Sequence, residues 1–230
     1  VSSLHITFVV PDEAALAEEA GFLMRHGCQY HWFNRGYASF EEFLAALASR
    51  KRKQIRKERA GVAAAGIEVR PVPGGEMKAR DWDAFVKFYV ATYDRKWGYP
   101  YLTREFFGRL GRELGDAVVM MLATQDGATV AGARNLCGSD ALFGRNWGAA
   151  GDFPFLHFEA CYYQAIDYAI ASKLARVEAG TQGPHKVQRG YEPVRTFSAH
   201  WIADPRLKAA LAQFLDRERR AVARDMAAMA

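Results

Sequence analysis

The chain has 230 residues, half of them hydrophobic, and a formal net charge of +5. This is the profile of an ordinary globular protein that can bury a real core, and apolar runs such as Leu4 to Val10 fall far short of the roughly 18 residues a membrane span needs. Cys28, Cys137 and Cys161 are too few and too scattered for a disulfide framework or a zinc knuckle, which points to a reducing cytoplasm and to no metal. The basicity is local: Arg50, Lys51, Arg52, Lys53, Arg56, Lys57 and Arg59 stand against Glu58 alone, so this decapeptide nets +6 and leaves the remainder at −1. The chain opens on Val1 directly in strand-like sequence, which suggests a fragment lacking an N-terminal part.

In chain order, Leu4 to Val10 reads as a strand, Asp12 to about His26 as a helix capped by Asp12, and Cys28 to Phe33 as a second strand. Ser39 opens a helix with Phe40, Phe43, Leu44 and Leu47 on one stripe, which runs through the basic decapeptide to Gly61 or Gly66. The strand Ile67 to Val72 is closed by Pro71, Pro73, Gly74 and Gly75. Trp82, Phe85, Val86, Tyr89, Val90, Tyr93 and Trp97 recur every three or four residues and predict a helix of four turns. A shorter helix after Thr103 turns Phe106, Phe107, Leu110 and Leu114 inward.

Val118 to Thr124 and Ala128 to Leu136 flank Asp126-Gly127, a pair suited to a type I′ hairpin turn because both positions need positive φ. Gly138 and Ser139 allow a second reversal into Ala141 to Trp147, completing a three-stranded meander. A helical stripe of Phe158, Cys161, Tyr162, Ala165, Ile166, Ala169 and Ile170 follows, then a strand at Leu174 to Ala179. The last helix, from Pro205 to about Met226 with Asp204 as cap, is expected to bury Leu207, Leu211, Phe214, Leu215 and Val222.

Two clusters carry candidate chemistry. Glu178, Gln182, His185, Lys186 and Arg189 crowd the loop after a strand, where open α/β sheets bind ligands. Acyl transfer to an amine needs a base to free the amine; Glu178 or His185 could take that proton while Lys186 and Arg189 hold an anion. The competing reading is a solvated loop whose charges pair among themselves. The second cluster is Arg145, Asn146 and Trp147 at the end of the third meander strand, with His157 and Glu159 at the start of the next helix. Helical positions two apart diverge by about 200°, so at most one of His157 and Glu159 faces a given site unless His157 precedes the helix. His-x-Glu without a following Pro-Cys-x-x-Cys is no zinc deaminase signature. Cys161 lies on an apolar stripe and reads as core. The basic decapeptide is first a solvated helix face, with a tRNA or phosphate contact as runner-up and a membrane-surface patch as the third reading.

The order strand, two helices, three-stranded meander, helix, strand, loop, strand resembles the GNAT acyltransferase fold. In that family the turn after the third meander strand cradles the pyrophosphate of coenzyme A; Gly148-Ala149-Ala150-Gly151-Asp152-Phe153-Pro154 does not match its pattern, and Asp152 would repel a phosphate. The chain more closely resembles the FemAB-like family of peptidoglycan-related N-acyltransferases with tandem GNAT-like domains. The runs that carry this resemblance are Gly144-Arg145-Asn146-Trp147-Gly148-Ala149, Leu156-His157-Phe158-Glu159-Ala160-Cys161-Tyr162-Tyr163-Gln164, and Glu178 through Tyr191 continuing to Ser198-Ala199-His200-Trp201. Thr181 and Pro184 stand where the family usually has Ala and Glu, and Asn146 replaces an aromatic; the lost Glu leaves Glu178 and Glu159 as the remaining carboxylates of these runs.

The resemblance implies an α+β, GNAT-like fold with a mixed, mainly antiparallel central sheet flanked by helices. It divides the chain into the remnant of a first such domain at 1–38, a basic helical connector at 39–66 and a GNAT-like acyltransferase domain at 67–230. It also implies N-acyl transfer from acyl-CoA or aminoacyl-tRNA to a small-molecule or peptide amine linked to the cell envelope, with tRNA a candidate partner of residues 50–59. The catalytic candidates are Glu178, Glu159, His157 and His185, and the substrate-binding candidates Arg145, Trp147, Tyr162, Gln182, Lys186 and Arg189. The reading from another class is a non-catalytic module that keeps the fold and binds a muropeptide or other anionic ligand.

Overall fold

The computed structural model describes residues 1–94, 98–181 and 183–229. They form β1 (Ser3–Val9), α1 (Pro11–Glu19), β2 (Leu23–Phe33), α2 (Phe40–Ala46), α3 (Ser49–Ala64), β3 (Ile67–Pro73), α4 (Ala79–Asp94), α5 (Arg104–Leu114), β4 (Val118–Gln125), β5 (Ala128–Cys137), β6 (Ala141–Ala149), α6 (Leu156–Phe158), α7 (Gln164–Ala171), β7 (Arg176–Glu178), β8 (Glu192–Ile202) and α8 (Pro205–Ala227). A π turn at Glu159–Tyr163 joins α6 to α7, and a 3-10 turn spans Pro184–Arg189. The fold is α+β, with mixed, mainly antiparallel strands flanked by helices. Internal contacts divide the chain into one unit of Val1–His31 with Thr181–Ala230 and another of Trp32–Gly180.

The Trp32–Gly180 unit is built on the meander. β3, β4, β5 and β6 pair antiparallel in succession, and β7 adds in parallel beside β6. Asp126 and Gly127 take φ values of +50° and +76°, the two left-handed positions the type I′ turn requires. Every residue of β4 from Val118 to Ala123 is buried, because helices cover both faces of the strand. On one face Val118, Met120 and Leu122 pack with Trp82, Phe85 and Tyr89 of α4 and Phe107 of α5; on the other Ala123, Ala131 and Ala149 pack with Val62 of α3 and Leu156 of α6. Gly148 lets α4 lie close against β6, since a Cβ there would fall 2.6 Å from the Phe88 Cβ.

The helix expected from Ser39 to Gly66 is two helices. Ser39 caps α2 as predicted, its hydroxyl accepting from Glu42 N at 3.2 Å, but the chain is extended at Leu47 before α3 begins. In α5, Phe107 is buried whereas Phe106 and Leu114 are 38% and 49% exposed, because Phe106 is turned about 100° from Phe107 and Leu114 is the last residue of the helix. Trp97, the last member of the α4 stripe, falls outside the described residues. The strand expected over Leu174 to Ala179 pairs only at Arg176–Glu178.

In the other unit β8 is the middle strand, antiparallel to β1 on one side and to β2 on the other. The predicted first helix is cut short. Pro11 starts it and Val10, not Asp12, is the cap residue; Gly21 at φ +81° then ends it, with Gly21 N donating to Glu18 O and Phe22 N to Ala17 O, the paired bonds of a Schellman stop. The freed residues extend β2 back to Leu23. Val9, Ala14, Met24 and Ala199 form a small core. Asp204 caps α8 by accepting from Arg206 N and Leu207 N at 2.8 and 3.0 Å. Of the five apolar residues expected inward on α8 only Leu215 is fully buried; Leu207 and Phe214 are half exposed, since a narrow stripe of this helix suffices to cover three strands. The two units therefore do not follow the boundaries drawn near residues 38 and 66: β8, late in the chain, pairs with both early strands.

Candidate functional site

The polar run from Glu178 to Tyr191 is divided, Glu178 to Gly180 closing one unit and Thr181 onward belonging to the other. Glu178 ends β7, and its Oε1 accepts from Arg176 Nε at 2.8 Å; Arg176 also pairs with Asp140. The carboxylate is thus already charge-matched within its own strand. Gln182 lies outside the described residues. His185, Lys186 and Arg189 lie on the 3-10 turn, where Arg189 Nη1 donates to His185 O at 2.9 Å. Lys186 is only 3% exposed, with its ammonium 5.4 Å from the centroid of the Tyr30 ring. Lys186 and Arg189 are thus buried rather than solvated, while His185 is exposed.

In the Trp32–Gly180 unit the fold brings Trp147, His157 and Tyr162 together. The His157 ring meets Trp147 and Tyr162 edge-on, each at 5.4 Å between centroids. Glu159 parts company with His157, as the helical offset predicted. Its Oε1 lies 3.2 Å from Arg59 Nη2 and accepts from Gln164 Nε2 at 2.8 Å, while the Arg59 guanidinium also meets Asp167 at 2.8 Å and stacks 4.4 Å over Phe40. The Glu159 side chain is 6% exposed, and its Oε2 makes no hydrogen bond among the described residues. Burial raises the Glu159 carboxyl above the ordinary carboxylate pKa, and the Arg59 charge and the Gln164 bond only partly oppose this. Glu159 opens the π turn, a rare backbone form that recurs at functional sites. Arg59, Val62, Ile67, Val69, Glu159 and Gln164 line a pocket of about 380 Å³.

Sequence reasoning treated residues 50–59 as one exposed face. In the fold, Ile55, Glu58 and Val62 turn inward, Arg56 pairs with Glu41 at 2.6 Å, and Arg52 donates to the carbonyls of Ala45 and Leu47. Arg59 was missed because it joins α3 to Glu159 and Asp167 about a hundred residues later, and Gln164 because the π turn is what brings it to the Glu159 carboxylate. Arg134, on β5, was missed too, although an arginine inside the apolar run Val130 to Leu136 was a readable anomaly.

The turn after β6 carries Asp152 exposed, so the structure offers a phosphate no help there. Among the described residues no cluster of His, Cys, Asp or Glu is placed to hold a metal, and no helix is long and apolar enough to cross a membrane.

A family model described as FemAB_like, peptidoglycan biosynthesis/recognition, matches residues 1–230. No curated protein sequence matches the chain. Among solved structures, FemX superposes with a TM-score of 0.63 at 11% identity, covering 92% of this chain and 75% of FemX. The C-terminal domain of an Agrobacterium fabrum protein named as a lysylphosphatidylglycerol synthetase gives 0.61 at 11% identity over 94% of this chain and 72% of that one. L-PGS from Bacillus licheniformis gives 0.61 at 9% identity over 92% and 72%. At these identities the likeness is one of fold.

Proposed function

The chain belongs to the FemAB-like family, and on that premise we propose that it is an N-acyltransferase that passes an acyl or aminoacyl group to an amine acceptor of cell-envelope metabolism. The observation that carries the reading is the Glu159 carboxyl, buried at the wall of a pocket, with one oxygen that takes no hydrogen bond among the described residues. A carboxyl whose pKa is raised is a better base toward an ammonium than an ordinary one. In the proposed reaction Glu159 takes a proton from the acceptor ammonium, the freed amine attacks the acyl carbonyl, the N–C bond forms, and the ester or thioester bond to the donor breaks. The departing oxygen or sulfur takes up a proton. Gln164 and Arg59 hold the carboxylate in place.

Glu178 is the weaker candidate for the base, because it does not line the pocket that Glu159 lines. Because His157 faces away from Glu159, we assign it with Trp147 and Tyr162 to an aromatic surface that contacts a part of a substrate remote from the reacting amine, and Arg145 to a polar contact; His185, Lys186 and Arg189, which lie in the other unit, are kept as candidate polar contacts of that unit. Aminoacyl-tRNA and acyl-CoA are both proposed donors; the exposed Asp152 argues against a coenzyme A pyrophosphate in the turn after β6. A tRNA contact along residues 50–59 and action in the cytoplasm belong to the same proposal. The division 1–38, 39–66 and 67–230 is kept as a proposal about descent, since contacts in the folded chain do not record ancestry.

The test is turnover of muropeptides with acetyl-CoA and with aminoacyl-tRNA. Glu159→Gln is expected to lower it by about 10²-fold or more, and the wild-type rate to rise through an apparent pKa above the usual carboxylate range. Unchanged turnover in Glu159→Gln would sink the assignment. Muropeptide binding with no turnover for either donor would favour the non-catalytic module.

A further inference from the structure

Arg134 is 5% exposed, and its Nε donates to Asn146 Oδ1 on the neighbouring strand at 3.1 Å, with Nη2 bonding the same oxygen. Among the described residues no carboxylate pairs with it. Its guanidinium carbon lies 5.8 Å from the Phe107 ring centroid, and Tyr89 and Tyr101 border it. A guanidinium has five N–H donors, and Asn146 accounts for two. A buried cation without a counter-charge is costly and rarely kept unless something pairs with it.

The strands supply a second cation at the same place. Arg134 is opposite Asn146, but the next pair is Asn135 with Gly144, so Arg145 is the extra residue of a β-bulge in β6. Bulges re-aim side chains and recur beside binding sites. Arg145 is exposed and makes no ion pair among the described residues, yet it lies near enough to act on Arg134, whose guanidinium is pushed down to about 10, first by burial and then by the Arg145 charge. Packing alone accounts for one arginine over Phe107. It does not account for a bulge that brings a second positive charge beside it.

We propose that Arg134 and Arg145 form a subsite for a small oxyanion, a carboxylate or a phosphate, with Asn146 fixing the Arg134 plane and Phe107 backing it. The anion offsets the paired positive charge, wholly as a phosphate dianion or in part as a carboxylate, and accepts from the donors Asn146 leaves unused. This deepens the acyl-transfer reading by giving a substrate its anchor, and rests on that reading only for which molecule carries the oxyanion.

The experiment is calorimetry and thermal denaturation of the whole chain with N-acetylalanine and, separately, inorganic phosphate, against chloride at equal ionic strength. Binding of either is expected: N-acetylalanine alone identifies a carboxylate subsite, phosphate alone a phosphate subsite. Arg134→Gln and Arg145→Gln should each weaken binding about tenfold or more, while Lys173→Gln, in the exposed turn after α7, should leave it unchanged. If Arg134→Gln does not fold, the exposed Arg145→Gln carries the test. Absence of binding by both anions, binding unchanged in Arg145→Gln, or equal loss in Lys173→Gln would overturn the subsite. Anion binding is read without turnover, so loss of the subsite and loss of the transferase reading are separate results.

Discussion

Arg59 Nη2 lies 3.2 Å from Glu159 Oε1 and 2.8 Å from Asp167 Oδ2, so one cation on α3 meets carboxylates on the π turn and on α7. Burial raises both carboxyls, and in each the Arg59 charge is the largest opposing influence. The basic run is therefore partly a structural clamp.

Arg59→Gln is expected to destabilise the protein by about 3 kcal/mol at neutral pH, because it leaves a carboxylate buried without its partner. The Glu159 and Asp167 pKa values stand above their ordinary 4.5 and 3.8, so their contribution is most favourable when they are protonated and is lost as pH rises through the folded values. The variant's deficit should accordingly shrink as pH falls toward 4.5. Urea denaturation of both proteins at pH 7 and near pH 4.5 checks this; an equal deficit at both would show that charge is not the cause.

Gly148→Ala should lower stability by about 1–3 kcal/mol. The new Cβ would meet the Phe88 Cβ at 2.6 Å and the Phe88 carbonyl carbon at 2.7 Å, and α4 backbone cannot yield as a side-chain tip could. Thermal denaturation giving a wild-type midpoint would contradict the close approach of α4 to β6.

His5 Nδ1 and His200 Nδ1 face each other at 2.8 Å, and one proton between them is all the geometry accepts. Burial, then His5 and Arg25, lower the His200 pKa below its ordinary 6.5, with Glu218 opposing. A depressed histidine contributes stability above the unfolded pKa that is lost as pH falls through the folded one. The midpoint of thermal unfolding should fall on going from pH 7.5 to 5.5, and less so in His200→Gln. Equal slopes in the two proteins would exclude this pair as the origin.

Deleting residues 1–31 removes both strands that pair with β8. The remaining chain exposes two open ladder edges on an eleven-residue strand, and is expected to aggregate or to lose β8 order. A monomeric elution profile with unchanged circular dichroism per residue would refute it.

Much of the local structure was legible in residue spacing. Asp126-Gly127 announced its hairpin, Ser39, Thr103 and Asp204 their caps, and the apolar period of α4 its helix, because each depends on neighbours within a turn or two. The burial of Phe106, Leu114, Leu207 and Phe214 was overestimated, since apolar periodicity tells which face could be covered and not how much the partner covers. The site was half legible: Glu159 and Arg145 were named from sequence, Arg59 and Arg134 were not.

Sequence alone determined the α+β element order, the meander and the family likeness, all of which follow from local propensity and contiguous motifs. Tertiary structure alone decided that β8 lies between β1 and β2, that Arg59 answers Glu159, and that a bulge brings Arg145 beside Arg134. Those relationships join residues distant in the chain or depend on a one-residue slip in strand register. Neither leaves a mark in periodicity, because what sets it is which surfaces meet once the chain has closed on itself.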